Sequence, residues 1–187
     1  IAGLALYTID ARSQRELLDG FRHAALHDAL TGLPNRAFLS ANLPGILEND
    51  RASGMETAVL VIDLDRFKEI NDVHGHHTGD FLLQDLARRF TQLLSKDEMI
   101  ARVGGDEFIA VKRQVRTKAE LEEFARRLTD CAQEPLHHNA STLTVGASTG
   151  ISLSPGDSID AEELIGAADL AMYRAKRSLG DKICYYE

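Results

Sequence analysis

Residues 57–64, TAVLVIDL, form a nearly continuous apolar run that ends in an acid. A strand with one face in water alternates apolar and polar residues. This one does not, so it needs cover on both faces. Helices on both sides of a sheet provide that cover, and the rest of the chain supplies them.

Residues 10–29 read as a polar helix with Leu18, Phe21 and Ala25 along one stripe, short for a coiled coil but able to pair with a second copy. DALTGLPNR, residues 28–36, brings Gly32 and Pro34, a turn and the expected domain boundary. A helix is expected over 37–47, a short one over 66–72 and a longer one over 78–95, with Thr78 as its cap. The stretch 99–115 reads as a hairpin turning at Gly104-Gly105. Thr117 and Glu120 form a capping box for a helix over 117–133, whose charged residues Glu120, Glu122, Glu123, Arg126 and Arg127 read as a solvated face. A strand over 143–153, a helix over 160–178 and a last strand over 182–186 complete the order α-β-α-α-β-β-α-β-α-β. The expected fold is a single α/β sandwich with a central mixed sheet, residues 28–187, preceded by a linker helix, residues 1–27.

The chain has 187 residues, 44% hydrophobic and 27% charged, in the range of a globular domain. A formal net charge of -8 argues against nucleic acid as a partner gripped over a basic face. Cys131 and Cys184 form no CxxC pair, which suits a reducing, cytoplasmic setting. The start at Ile1 rather than Met reads as that of a fragment. IAGLALYTI, residues 1–9, is apolar but too short to span a bilayer, and Arg12 and Arg15 follow it. Two readings stand: the tail of a transmembrane helix of an inner-membrane-anchored protein, or the start of a soluble linker helix.

The buried run ends in Asp63-Leu64-Asp65-Arg66-Phe67-Lys68, and the hairpin carries Asp106 and Glu107 just past its turn. A carboxylate at the end of a buried strand is costly without compensation. If strand and hairpin are neighbours, Asp63 and Asp106 would face each other at one sheet edge, and all-oxygen ligands of this kind suit Mg²⁺. Mg²⁺ on one or two carboxylates awaits phosphates, which points to phosphoryl or nucleotidyl transfer. Backbone N–H groups after Asp63, together with Lys68, offer a polyphosphate its partners. The alternative is that Asp63 caps a helix while Asp106 and Glu107 face solvent.

Four motifs bear on that choice. GGDEF at 104–108, DLDRFKEINDVHGHHTGD at 63–80, DALTGLPNR at 28–36 and ADLAMYRAK at 168–176 resemble, in order, the motifs of the GGDEF family, the diguanylate cyclases that make cyclic di-GMP from two GTP. The resemblance implies a nucleotidyl-cyclase or polymerase-palm-like fold and a homodimer. It implies Mg²⁺ or Mn²⁺ on Asp63, the Leu64 carbonyl, Asp106 and Glu107. Asp106 or Glu107 would also serve as base for the ribose 3′-hydroxyl. Asn71 and Asp80 match guanine readers. Lys68, Lys176 and the amides of Arg66 and Phe67 would meet phosphate, with Gly104 and Gly105 letting backbone approach the ligand. Arg102 would contact phosphate or pair with the acidic cluster. Family members are also joined to sensor domains and to EAL-type phosphodiesterase domains, and some bind GTP without turning it over.

Two departures stand out. The R-x-x-D product-inhibition window holds Ser95-Lys96-Asp97-Glu98, and Ser lacks a guanidinium. The family's A-K-x-x-G-R-N is replaced by Ala175-Lys176-Arg177-Ser178-Leu179-Gly180-Asp181-Lys182, which leaves Lys182 or Arg177 to stand in for the absent Arg. Of the histidines, His76 falls on the family's G-H and reads as structural or ligand-proximal. His23 and His27 lie on a solvated helix face, and His137 and His138 read as loop.

Overall fold

The computed structural model describes residues 2–138, 141–178 and 180–187, with side chains from residue 13 onward. The continuous apolar run is strand β1 (Glu56–Asp65), buried along nearly its whole length. It lies at the centre of a five-stranded sheet in the order β2-β3-β1-β6-β7, with β2 at Glu98–Gly104, β3 at Glu107–Val115, β6 at Gly146–Ser154 and β7 at Ile183–Tyr185. β1 runs antiparallel to β3 and β6, and β7 runs parallel to β6, so the sheet is mixed as expected.

Alternate residues of β1 feed two cores. Leu60 and Ile62 join Phe108 beneath α4 (His76–Leu93) and α5 (Lys118–Gln133), where Leu86, Phe90 and Phe124 pack. Val59 and Val61 join Ile109 beneath α2 (Arg36–Ala52) and α6 (Ala161–Arg177), against Leu43, Leu164 and Met172. Each such side chain contributes roughly 1.5–3 kcal/mol by leaving water. The alanine-rich face of α6 lies directly on β6. A Cβ at Gly150 would come 2.0 Å from the Ala168 carbonyl oxygen and 2.1 Å from the Met172 nitrogen, so only glycine permits this approach.

Local chemistry sets the helix starts. Asn35 caps α2, Asp160 caps α6, and the Thr117 hydroxyl accepts from the Glu120 amide at the head of α5. Glu120 reaches back to the Arg116 amide, one residue earlier than a capping box requires. Thr78 is not a cap. α3 (Phe67–His74) and α4 are separated by Gly75 alone, whose φ of +86° turns the chain, and the Thr78 hydroxyl donates to the His74 carbonyl. The expected strand over 143–153 is divided: β5 (Ser141–Leu143) pairs with β4 (Leu136–His138), so His137 and His138 lie in a small hairpin rather than a loop.

α1 (Ala2–Leu26) begins earlier than the expected 10–29. Of the stretch 1–9, Ile1 lies outside the described residues, as does Leu179 in the altered C-terminal motif. Among the described residues no helix is long and apolar enough to cross a membrane.

Candidate active site

The carboxylates gather where β1 ends and β3 begins, in the middle of the sheet rather than at a lateral edge. Asp63 stands opposite Glu107 in the antiparallel register, not opposite Asp106 as expected. The hairpin turns one residue later than expected: Gly104 still pairs with Glu107, and Gly105-Asp106 make the turn. Gly104 and Gly105 take φ values of +156° and +47°, which a β-carbon would oppose. The Asp106 carbonyl accepts from the Leu64 amide at 3.2 Å, tying the turn to β1.

Asp63 and Glu107 share the α6 face of the sheet, and the Lys176 ammonium donates to Asp63 at 2.5 Å. That one cation does not settle the charge. Burial, with repulsion from Asp106 and Asp65, outweighs the Lys176 bond and pushes the Asp63 carboxyl above its ordinary range. Burial also raises Glu107, helped by Asp63, Asp169 and Asp106. Lys176 would be lowered by burial but is raised by its bond to Asp63 and by the carboxylates around it. The cluster is therefore short of positive charge, which suits a hard divalent cation. Among the described residues no group of three or more His, Cys, Asp or Glu side chains is arranged to hold a metal ion on its own. The donor set fits an ion that completes its shell with phosphate and water, as Mg²⁺ does.

Beyond Asp65 the chain bends sharply. Arg66 takes φ +60° and ψ 24° and precedes α3 without a side-chain cap. Its carbonyl accepts from Glu69 and Ile70, while the amides of Phe67 and Lys68 head the helix and have no intrahelical acceptor. Lys68 is exposed. On α3, Asn71 leans against α4: a Cβ at Gly79 would meet Asn71 Oδ1 at 1.9 Å. Gly79 thus brings Asn71 beside the helical turn that bears exposed Asp80. Asp65 is held by the Ser148 hydroxyl at 2.7 Å and by Lys182 at 3.6 Å. Lys182 therefore reaches the end of β1, whereas the Arg177 guanidinium lies 5.8 Å from the Tyr173 ring centre.

Arg102 is paired with Asp28 rather than with the acidic cluster. Its guanidinium donates to the Gly105 carbonyl through Nε at 3.0 Å and Nη2 at 2.8 Å, and to Asp28 through Nη1 at 2.8 Å. Asp28 also accepts from the Thr31 amide and hydroxyl, and the Arg102 amide donates to the Pro34 carbonyl. The 28–36 loop is thus stapled to the acidic turn. Burial alone would raise Asp28, but Thr31 and Arg102 hold its carboxyl below the ordinary range. Arg127 is no mere surface charge either. It grips buried Glu98 at 2.9 and 3.0 Å, in the window that departs from R-x-x-D. His74, His76 and His77 are all exposed, and His23 stacks on His27 with ring centres 3.8 Å apart.

Gly79, Gly150, Ser148 and Asp28 shape this site and were not singled out in the sequence. Asp28 and Gly79 sat in quoted motifs, whereas Gly150, needed for the close approach of α6, carries no local signal of its own.

Comparison with known proteins places these features. Residues 25–182 match the family model described as "Diguanylate cyclase, GGDEF domain". An "Uncharacterized signaling protein" of Caulobacter vibrioides is 42% identical over 179 residues, 95% of this chain and 22% of that protein. The "Bifunctional diguanylate cyclase/cyclic di-GMP phosphodiesterase MucR" of Pseudomonas aeruginosa is 38% identical over 182 residues, 97% of this chain and 26% of that protein. The chain thus spans about a quarter of the length of these relatives. The solved structure of a delta-N mutant of TpbB (YfiN) from Pseudomonas aeruginosa, comprising only the GGDEF domain, superposes with a TM-score of 0.81 at 37% identity, covering 86% of this chain and 94% of that one.

Proposed function

The chain belongs to the GGDEF family, and from that premise we propose that residues 28–187 are an active diguanylate cyclase domain, with residues 1–27 as the linker helix that brings two copies together. The observation that most supports activity is the charge-deficient cluster of Asp63 and Glu107, register-paired at the strand ends beside Asp106.

Asp63, the Leu64 carbonyl, Asp106 and Glu107 would hold Mg²⁺ or Mn²⁺. Bound there, the ion would neutralise charge on the triphosphate and acidify the attacking hydroxyl. Asn71 and Asp80 read guanine, since a carboxylate accepts from its N1–H and N2–H₂ edge, which adenine lacks. Committed polar groups of this kind reject the wrong base strongly. The amides of Arg66 and Phe67, with Lys68, receive the terminal phosphates. Lys176, and Lys182 in place of the absent Arg, add positive charge, and Gly104 and Gly105 let backbone approach the ligand. Arg102 acts as a positioning residue, fixing the acidic turn against Asp28.

Asp106 or Glu107 takes the proton as the 3′-hydroxyl of one GTP attacks the α-phosphate of the other. Pyrophosphate leaves, and a second attack closes the ring. The product is two-fold symmetric, so two domains must face each other in a homodimer. Pairing of α1 would raise their effective concentration.

A second reading, a GTP-binding module that tunes an attached domain such as an EAL-type phosphodiesterase, draws on Asp181 standing after the glycine where the family has Arg. Chromatographic assay of cyclic di-GMP from GTP and Mg²⁺, across protein concentration and beside Asp106→Ala, separates the two. The cyclase gives product that rises more steeply than linearly with protein and vanishes in the variant. GTP binding without product, even when the chain is fused to a dimeric coiled coil, would overturn it in favour of the module.

A further inference from the structure

A cavity of about 460 Å³ lies between α2 and α6, lined by Glu107 but by neither Asp63 nor Lys176. Its floor is apolar, built from Leu39, Val61, Ile109 and Ile165. Its size and mixed lining are those of small-molecule sites. α6 leaves the space open because residue 166 is glycine, and a Cβ there would meet nothing within 4 Å.

The charged groups around it are Glu107, Glu162 and Asp169 against the single guanidinium of Arg36. Asp169 lies close enough to act on the Glu107 carboxyl, and so does Arg36. Among the described residues, none of these four side chains has a hydrogen-bond or ion-pair partner within the protein. At the other end of the sheet buried carboxylates are matched: Asp50 by Arg113, and Glu98 by Lys112 and Arg127. Here three carboxylates, half-buried Glu107 with exposed Glu162 and Asp169, line the cavity with one cation, the exposed Arg36.

We infer that this cavity binds an organic cation: an alkylammonium or polyamine-like ligand whose hydrocarbon lies on the Leu39–Ile165 floor and whose ammonium meets Asp169 and Glu107. Hydrocarbon burial supplies affinity and the carboxylates supply the choice of sign. A fatty carboxylate of the same length would face net repulsion. Because Glu107 borders both the cavity and the acidic cluster, the ligand would also sit against the back of the candidate active site. The binding itself does not depend on cyclase activity.

The test titrates the full chain, with EDTA and without nucleotide, with n-hexylammonium, hexanoate and hexanol. Backbone amide NMR signals of Ile165, Gly166 and Asp169 are followed. Hexylammonium should give saturable shifts at these amides, with hexanoate and hexanol at least tenfold weaker. Gly166→Leu should abolish the shifts by filling the chamber from an exposed helix position, and Asp169→Asn should weaken binding several-fold. Circular dichroism and the unfolding temperature of Gly166→Leu check its fold. Absence of saturable shifts, equal binding of hexanoate, or unchanged affinity in a folded Gly166→Leu would each overturn the inference. A chain that binds hexylammonium yet makes no cyclic di-GMP, even when fused to a dimeric coiled coil, would overturn the cyclase reading alone.

Discussion

Asp63 and Glu107, at one end of β1 and β3, are held above the ordinary carboxyl range, whereas Asp50 and Glu98, at the other end of the sheet, are held below it. All four pay for burial, so the difference lies in partners. Asp50 receives Arg113 through two nitrogens at 2.6 and 3.1 Å and the Thr57 hydroxyl at 2.8 Å. Glu98 receives Arg127 twice, Lys112 at 3.0 Å and the Ser95 amide at 2.9 Å. At the other end Asp63 has one lysine and Glu107 has no bonded partner among the described residues. One end has been compensated within the chain; the other leaves its charge for a ligand to neutralise. Compensated and uncompensated carboxylates thus sit at the two ends of one sheet.

The sharpest way to break this comparison is to delete a carboxylate from each end. Asp63→Ala or Glu107→Ala should lower cyclic di-GMP formation by about a hundredfold to ten-thousandfold, the usual worth of a group that assists proton transfer or transition-state charge. Unfolding in metal-free buffer should be unchanged or shifted upward, since a charge that burial penalises has gone. Loss of activity accompanied by a large loss of stability would contradict the division of labour.

Glu98→Ala should do the reverse. It strands Lys112, whose side chain is 13% exposed, without its carboxylate, and breaking a buried pair costs about 3 kcal/mol. Urea titration should show that loss, while turnover per folded molecule is retained. The same residues bear on product control. Arg127, the guanidinium nearest this window, is already held by Glu98, so added cyclic di-GMP should not inhibit through this position.

Neither network was legible in the sequence, and the reason is physical. Arg127 and Glu98 are 29 residues apart, Arg113 and Asp50 63 apart, and a charged residue on a helix face reads the same whether it meets water or a distant strand. The sheet was easier. β1 announces its double burial by lacking alternation, and Thr117 caps its helix by local chemistry. The acidic cluster could be read because its motifs run in order along the chain. Its pairing could not, because one residue of register decides whether Asp106 or Glu107 faces Asp63.

Acid titration of stability sharpens the contrast further, with smaller effects. The sign differs at the two ends. Asp63 and Glu107, raised when folded, cost nothing below the ordinary carboxyl range near pH 4, and their full penalty is present only above their folded values. Asp50 and Glu98, lowered when folded, contribute fully above that range and lose their contribution as pH falls toward their folded values. Metal-free protein should therefore gain stability on mild acidification from neutral and lose it below about pH 4. Asp63→Asn should flatten the upper limb and Asp50→Asn the lower, measured by urea midpoints across pH.

The smallest expected effect concerns the cations of the charge-deficient end. Lys176 and Lys182 touch Asp63 and Asp65, and if that end is reserved for ligand, both should count toward substrate more than toward folding. Lys182 is the weaker case, since its 3.6 Å contact with a partly exposed Asp65 is worth at most about 1 kcal/mol to stability. Lys182→Ala should leave the urea midpoint nearly unchanged and raise KM for GTP several-fold, because a mobile ammonium gives a phosphate charge without bidentate geometry. Arg177→Ala should change neither, as its guanidinium lies over Tyr173. The reverse pattern, with KM following Arg177, would assign the vacant arginine's role to the helix rather than to the segment that leads into β7. It would also show that Asp65, not substrate, is what Lys182 serves.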